Sequence, residues 1–346
     1  RGTHVVKQQT GQRHHGVLRP LEVFALVNAF AIAGRAVAPL ARAAVLALEE
    51  YSKQKDAPQG LVEVPRALIA APGSILFDEP RVLQDLANHF LLWKPPFWTV
   101  SVNASDTEVA NDMQAPSECE ADLGLSLGGR QIDRWVAEKL SHQMPIAGDR
   151  RYACGFVHRI DRQTSGLLLV AKTYWGYYWG KLQWAALRVT KQYVCLVHGW
   201  VPGDRCRLEM PLSVVWEPRC GGWKSVVKCE GKRALTEISA VAHFEDDQLD
   251  RYSLVEIDLR TGRKHQIRAH LSHDGYPLVS DEKYGGSPRR WCPRIFLHAH
   301  YLHIEDEVQP IDARCPLPGD LRRALSCLRP MDEASGALAG KWLDQV

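Results

Sequence analysis

The stretch FVHRIDRQTSGLLLVAKT, residues 156–173, sets the carboxylate of Asp161 between the guanidiniums of Arg159 and Arg162, just ahead of an apolar run. Nearby cations keep a carboxylate ionised, which suits a nucleophile and suits half of a structural salt bridge equally well. A second charged stretch, TGRKHQIRAHLSH at 261–273, offers a partner for either role. On a helix starting near Gly262, Ile267 and Leu271 fall together on one face, with Arg268 beside them and Arg263 and His270 around the rim. An arginine next to a buried face is desolvated and needs a carboxylate, and Asp161 is the candidate. From these residues alone, a nucleophile and a structural bridge stand level.

Other chemistries find less support. Glycoside hydrolysis needs two carboxylates flanking the bond, and around Asp161 there are only arginines. Ser165 lies outside a GxSxG elbow, so acyl transfer has no footing. His265, His270 and His273 form no HExxH pattern and have no carboxylate or cysteine at a helical offset, so no metal is expected. There is no glycine-rich phosphate loop, and no cofactor is expected. The nine cysteines include no CxxC pair, which argues against a disulfide framework or zinc site and for a reducing, intracellular compartment, cytoplasm or organelle. The chain opens on Arg1, so we expect an N-terminal part, with any targeting peptide, to be missing.

Positioning these groups takes a sizeable core, which 346 residues at 45% hydrophobic composition can build. Residues 1–51 read as a helical fragment, with a two-helix hairpin at 17–51 broken at Gly34 that could end a helical repeat array. The proline-bearing stretch 52–80 reads as a linker, 81–330 as the domain carrying the motifs, and 331–346 as a C-terminal tail. Inside the domain, LLLVA after Gly166 reads as a buried strand. Residues 174–188 read as a helix whose tryptophans are core rather than a base-stacking platform, and 190–200 as a strand. Six acids without a base in 101–123 mark a solvated loop. Strands and helices in irregular order favour an α+β fold with a mixed, largely antiparallel sheet over a doubly wound one. Net charge is only +3, but residues 150–300 hold 24 Lys and Arg against 15 Asp and Glu. A basic half with interleaved aromatics suits a polyanion.

Four segments resemble the RNA pseudouridine synthases of the RluA type: KPP at 94–96, HRIDRQTSGLLL at 158–169, KQYVCLVHG at 191–199 and TGRKHQIRAH at 261–270. The resemblance covers roughly residues 81–330, including PLVSDEKYGG. It departs where a glycine is usual, after Lys-Pro and at Ser280, and it offers no recognisable accessory domain in front. The resemblance implies a cofactor-free isomerisation of uridine on RNA, ribosomal RNA first and transfer or messenger RNA next. Asp161 would be the nucleophile, Tyr193 would pack on the base and take the carbon-5 proton, and Arg268 would pair with Asp161. Arg159 would fill the gap left by a flipped nucleotide. His158, Arg162, Lys94, Arg263, Lys264, His265 and His270 would contact the RNA. The alternatives are an RNA-binding protein that keeps the fold without the chemistry, and a helical-repeat RNA-binding protein with an appended synthase-like domain.

Overall fold

The computed structural model describes residues 18–34, 37–53, 55–56, 62–71, 78–100, 129–218, 222–306 and 310–344. The acidic stretch expected as a solvated loop lies outside them. The strands are β1 (Arg81–Asp85), β2 (His89–Lys94), β3 (Ser165–Ala171), β4 (Val189–His198), β5 (Arg207–Leu208), β6 (Leu212–Glu217), β7 (Gly222–Val227), β8 (Thr236–Glu245), β9 (Arg251–Leu259), β10 (Leu297–Ile304), β11 (Ile311–Arg314) and β12 (Arg329–Pro330). The helices are α1 (Pro20–Ile32), α2 (Ala38–Lys53), α3 (Ile132–Leu140), α4 (Pro145–Gly148), α5 (Tyr174–Ala185), α6 (Gln266–His273), α7 (Gly319–Ser326) and α8 (Glu333–Leu343). Ten strands form one sheet in the order β1-β2-β3-β10-β4-β9-β8-β12, with β11 beside β10 and β5 beside β8; β6 and β7 form a separate ribbon. Pairing is antiparallel except between β3 and β10, which makes the sheet mixed and largely antiparallel as expected.

The period-two alternation of a strand sorts β4 between two cores. Tyr193, Cys195 and Val197 face a core shared with Ile267 and Leu271 of α6. Val194 and Leu196 face a second core closed by Leu321 and Leu325 of α7 and Trp342 of α8. The segment expected as a tail is therefore a helix whose Trp342 is fully buried. Its N-cap is Asp332, whose side chain accepts from the Ser335 amide at 2.7 Å. The tryptophan stripe of α5 is core, with Trp179 at 3% exposure.

The N-terminal hairpin forms as expected, and Gly34 turns the chain at φ +65, where a side chain would be strained. It belongs to the main core. Val23, Phe24, Val27 and Leu48 join the cluster containing Tyr178 of α5, and Asn28 donates to the Ala185 carbonyl at 2.8 Å. The stretch expected as a linker is anchored as well. The Asp56 carboxylate accepts the Tyr174 and Trp175 amides at 2.8 and 2.9 Å, satisfying donors that the first turn of α5 leaves open. Val64 is buried and donates to Asp85, and Ile69 bridges to Val82. Among the described residues, no helix is long and apolar enough to cross a membrane.

Candidate active site

Asp161 sits on a loop four residues before β3, and buried cations hold that loop from two sides. The Lys94 ammonium, at the end of β2, is fully buried and donates to the carbonyls of Pro95, Arg162 and Thr164 at 3.0, 3.0 and 2.7 Å. Arg294, 1% exposed, donates to the Gln163 carbonyl and to Ser165 Oγ at 3.0 and 2.9 Å while pairing with Asp320 at 2.6 Å. The Asp161 carbonyl accepts the Thr164 amide, closing a tight turn. The backbone is fixed before any substrate arrives, as a site that must hold a reacting group in place requires.

The Asp161 side chain, 21% exposed, accepts from Arg268 Nη1 through Oδ2 at 3.0 Å. The pairing expected from the sequence is therefore present, and it joins residues 107 apart in the chain. Arg268 has a second carboxylate that the sequence reading missed. Asp281 takes its Nε and Nη2 in a fork at 2.7 and 2.9 Å, and the Asp281 side chain is fully buried. Burial opposes the charge on Arg268, but Asp281 and then Asp161 outweigh it and its pKa stands raised. The Tyr284 ring lies 4.8 Å from the guanidinium, a cation–π contact that fixes its plane. The Tyr284 hydroxyl accepts the Ser225 amide at 2.8 Å and lies 3.0 Å from His265 Nδ1, whose Nε2 is 4.0 Å from Asp161 Oδ1.

The entry to α6 differs from expectation. The helix begins at Gln266, after His265 in a left-handed conformation at φ +49, and not near Gly262. The Gln266 amide explains the delay. Its oxygen accepts from Thr261 Oγ1 and the Arg263 amide, and its nitrogen donates to Leu235 O and Thr236 Oγ1, so residues 261–265 wrap around it. The stop is as expected, with Asp274 at the C-cap and Gly275 at φ +94.

Tyr193 is 8% exposed on β4, opposite Ile257 of β9 and Ala299 of β10. Burial, and then the charge of nearby Asp161, push its phenol up. Lys191, two residues earlier on the same face, is half-buried and close to Gly262. Burial and the charge of Arg263 lower its pKa to about 8. In the sequence, Lys191 lies in the KQYVCLVHG strand and Asp281 in PLVSDEKYGG with no partner in view, and neither residue type by itself announces a role.

The expected RNA contacts divide. Arg159 and Arg162 are exposed, and Lys264 is half-buried. Arg263 is half-buried and donates to the Arg233 carbonyl at 3.0 Å. Four others are turned inward, among them His265, 4% exposed with Nδ1 3.0 Å from the Tyr284 hydroxyl. Lys94 is the buried support described above. His158 stacks on Trp184 with centroids 4.6 Å apart and accepts the Leu169 amide at 2.9 Å; burial, then Lys191 and Lys181, lower its pKa to about 3. His270 is fully buried between Thr236 Oγ1 and the Met210 carbonyl, and burial lowers its pKa. Each was expected at the surface because polar residues usually lie there, but here loop carbonyls take up the Lys94 ammonium, the Leu169 amide meets His158, the Tyr284 hydroxyl meets His265, and the Thr236 hydroxyl and Met210 carbonyl flank His270.

Both departures at usual glycines fall on left-handed backbone, Phe97 at φ +67 and Ser280 at φ +61. Ser280 has a local use for its side chain, which donates to the Cys292 carbonyl at 2.7 Å and accepts the Arg289 amide at 3.2 Å.

An aspartate held by a buried arginine, close enough to a strand tyrosine for its charge to raise that phenol, suits attack on the sugar of a nucleic acid. Residues 101–273, half of the chain, match the model of the RNA pseudouridylate synthase family, and the chain belongs to that family. An uncharacterized RNA pseudouridine synthase YlyB of Bacillus subtilis is 35% identical over 179 residues, 51% of this chain and 56% of that protein. The ribosomal large subunit pseudouridine synthase D of Pseudomonas aeruginosa is 33% identical over 221 residues, 60% of this chain and 66% of that protein. The chain thus spans less than two thirds of either relative's length. The structure of human RNA pseudouridylate synthase domain containing 1 matches with a TM-score of 0.52 at 22% identity, over 79% of this chain and 98% of that one. At that identity the likeness is one of fold.

Proposed function

We propose that the protein isomerises uridine to pseudouridine in RNA, with Asp161 as the nucleophile. The observation that carries this reading is the contact of Asp161 Oδ2 with Arg268, itself fixed by Asp281, on a loop held by Lys94 and Arg294. A side chain so held keeps its place, and because the Arg268 hydrogen bond is on Oδ2, the reacting oxygen in this reading is Oδ1, 4.0 Å from His265 Nε2.

The target uridine must leave its stack to reach Asp161, and the exposed guanidinium of Arg159 can take the vacated space. Two routes then fit the same carboxylate. In one, Asp161 bonds to the anomeric carbon as the glycosidic bond breaks and the electron pair leaves with the uracil. In the other, it removes a proton from the neighbouring ribose carbon, whose electron pair forms a double bond to the anomeric carbon as the glycosidic bond breaks and its pair leaves with the uracil. The freed uracil turns and carbon 5 bonds to the anomeric carbon, displacing the Asp161 carboxylate in the first route, or in the second adding across the sugar double bond as Asp161 returns its proton to the ribose. N1 then takes up a proton, and the carbon-5 proton passes to a base. Tyr193 is that base in our reading. In the first route, Asp161 is an uncharged ester while it is bonded to the sugar, so one of the two influences holding the Tyr193 phenol protonated is then absent.

Arg159, Arg162, Arg263, Lys264 and Lys191 supply phosphate contacts that position the strand without reading its sequence. Ribosomal RNA is the first substrate to try, because a relative's name assigns that relative to the large ribosomal subunit. The test is to incubate the protein with ribosomal and transfer RNA transcripts, digest to nucleosides and separate pseudouridine by chromatography. Pseudouridine from at least one transcript is expected; RNA binding with none formed from any would refute the proposal.

A further inference from the structure

Phe97 follows the Pro95-Pro96 turn at the end of β2, and its backbone conformation is one that a β-carbon disfavours. The turn itself has an evident purpose. The Phe97 amide donates to the Arg162 carbonyl at 2.7 Å, the same oxygen that Lys94 holds, so it ties the chain to the loop carrying Asp161. Glycine would make that turn without strain, so the hydrogen bond explains the backbone and not the phenyl ring. The ring is 45% exposed and belongs to none of the hydrophobic clusters among the described residues. Its neighbour Trp98 shows the contrast, being 7% exposed and donating through Nε1 to the Asp78 carbonyl.

Exposed leucines occupy left-handed positions elsewhere. Leu187 follows the end of α5, and Leu249, 68% exposed, lies in the β8–β9 turn at the opposite end of β9 from α6. Neither is fastened to the nucleophile's loop. Phe97 combines strain, an uncovered aromatic face and attachment to Arg162, itself exposed beside Asp161. The fold rewards the turn but not a side chain that makes the turn strained, and such a side chain kept in a strained backbone is a mark of functional positions.

We infer that the Phe97 ring is a stacking platform for an unpaired RNA base next to the target uridine. Any base offers a π face, so the contact adds affinity for splayed or single-stranded RNA and tolerates many sequences. The inference rests on the proposed RNA substrate and goes beyond it, by placing a neighbouring base on a ring that most of the motif's charged residues would not suggest.

The experiment uses the full chain carrying Asp161→Asn, so that binding is read without turnover, and single-stranded oligonucleotides containing uridine. Phe97→Gly is expected to weaken binding between about fivefold and a hundredfold, the range of one lost aromatic–base stack. Its salt dependence should stay unchanged, since no charge is lost. The same substitution should raise the urea midpoint of unfolding, because it relieves the left-handed strain. Phe97→Tyr should keep the affinity, and Leu249→Gly should raise the midpoint without touching binding. Unchanged affinity in Phe97→Gly overturns the platform. A parent chain that binds no RNA overturns the substrate reading and the platform with it, whereas binding without pseudouridine formation leaves the platform to be decided by the same comparison.

Discussion

Lys94→Met separates the buried support from the surface contact that the Lys-Pro motif suggests. Methionine keeps most of the aliphatic stem and removes the ammonium, so the carbonyls of Pro95, Arg162 and Thr164 lose a donor together. Each buried acceptor left unpaired costs ~1–3 kcal/mol. Relief from holding a charge at 0% exposure offsets part of that loss. Breaking a buried charged contact of this kind costs about 3–5 kcal/mol, and we expect a loss of that size in urea unfolding. Activity should fall as well, since the Arg162 and Thr164 carbonyls bracket the loop that aims Asp161. A lysine on a phosphate behaves differently: its loss reduces the slope of log affinity against log salt by about 0.7–0.9 and leaves stability nearly intact. A Lys94→Met protein with parent-like stability and a reduced salt slope would refute the support and restore the surface contact.

Asp281→Asn leaves the Arg268 guanidinium to Asp161 alone. The kcat should fall by on the order of 10²-fold as the guanidinium loses the carboxylate that fixes it, and an unchanged kcat would count against the shared clamp. Burial lowers His89 and His298 to about 4, and His158 and His300 to about 3. Unfolded histidine titrates near 6.5, so the unfolded chain binds the extra protons below that pH. Stability present above pH 6.5 should therefore fall as pH drops toward 4, by ~1.4 kcal/mol per pH unit for each group. Equal urea midpoints at pH 7 and pH 5 would contradict this. Asp56→Ala removes the acceptor at the first turn of α5 and should cost about 1–2 kcal/mol, with faster hydrogen exchange at Tyr174 and Trp175; unchanged exchange there would show that the anchor is dispensable.

The sequence made the central pair legible because both partners are marked locally. Asp161 precedes an apolar run, and Arg268 falls beside the buried face of a helix, so desolvation alone brings them together. The fold class followed from the same patterns, since β3 is a short bounded apolar run, β4 alternates, and α5 and α6 carry helical periodicity, in irregular order. What stayed hidden depends on partners far along the chain. Lys94 reaches carbonyls 68 and 70 residues away, and Arg294 reaches one 131 residues away. His158 and His270 likewise look like surface groups until β3 and β8 supply their hydrogen bonds. Asp281 was indistinguishable from a surface acid in a turn. The anchoring of the described residues between 18 and 71 was hidden because prolines mark a linker and an extended anchor alike, and Asp56 carries no sign that it meets α5.

The central claim is that Asp161 performs the chemistry. It is tested most directly by tritium release from RNA labelled at carbon 5 of its uridines, comparing the parent with Asp161→Asn under conditions where both bind. The expected result is release by the parent and none by the variant. Release by Asp161→Asn at a rate near the parent's would contradict the account.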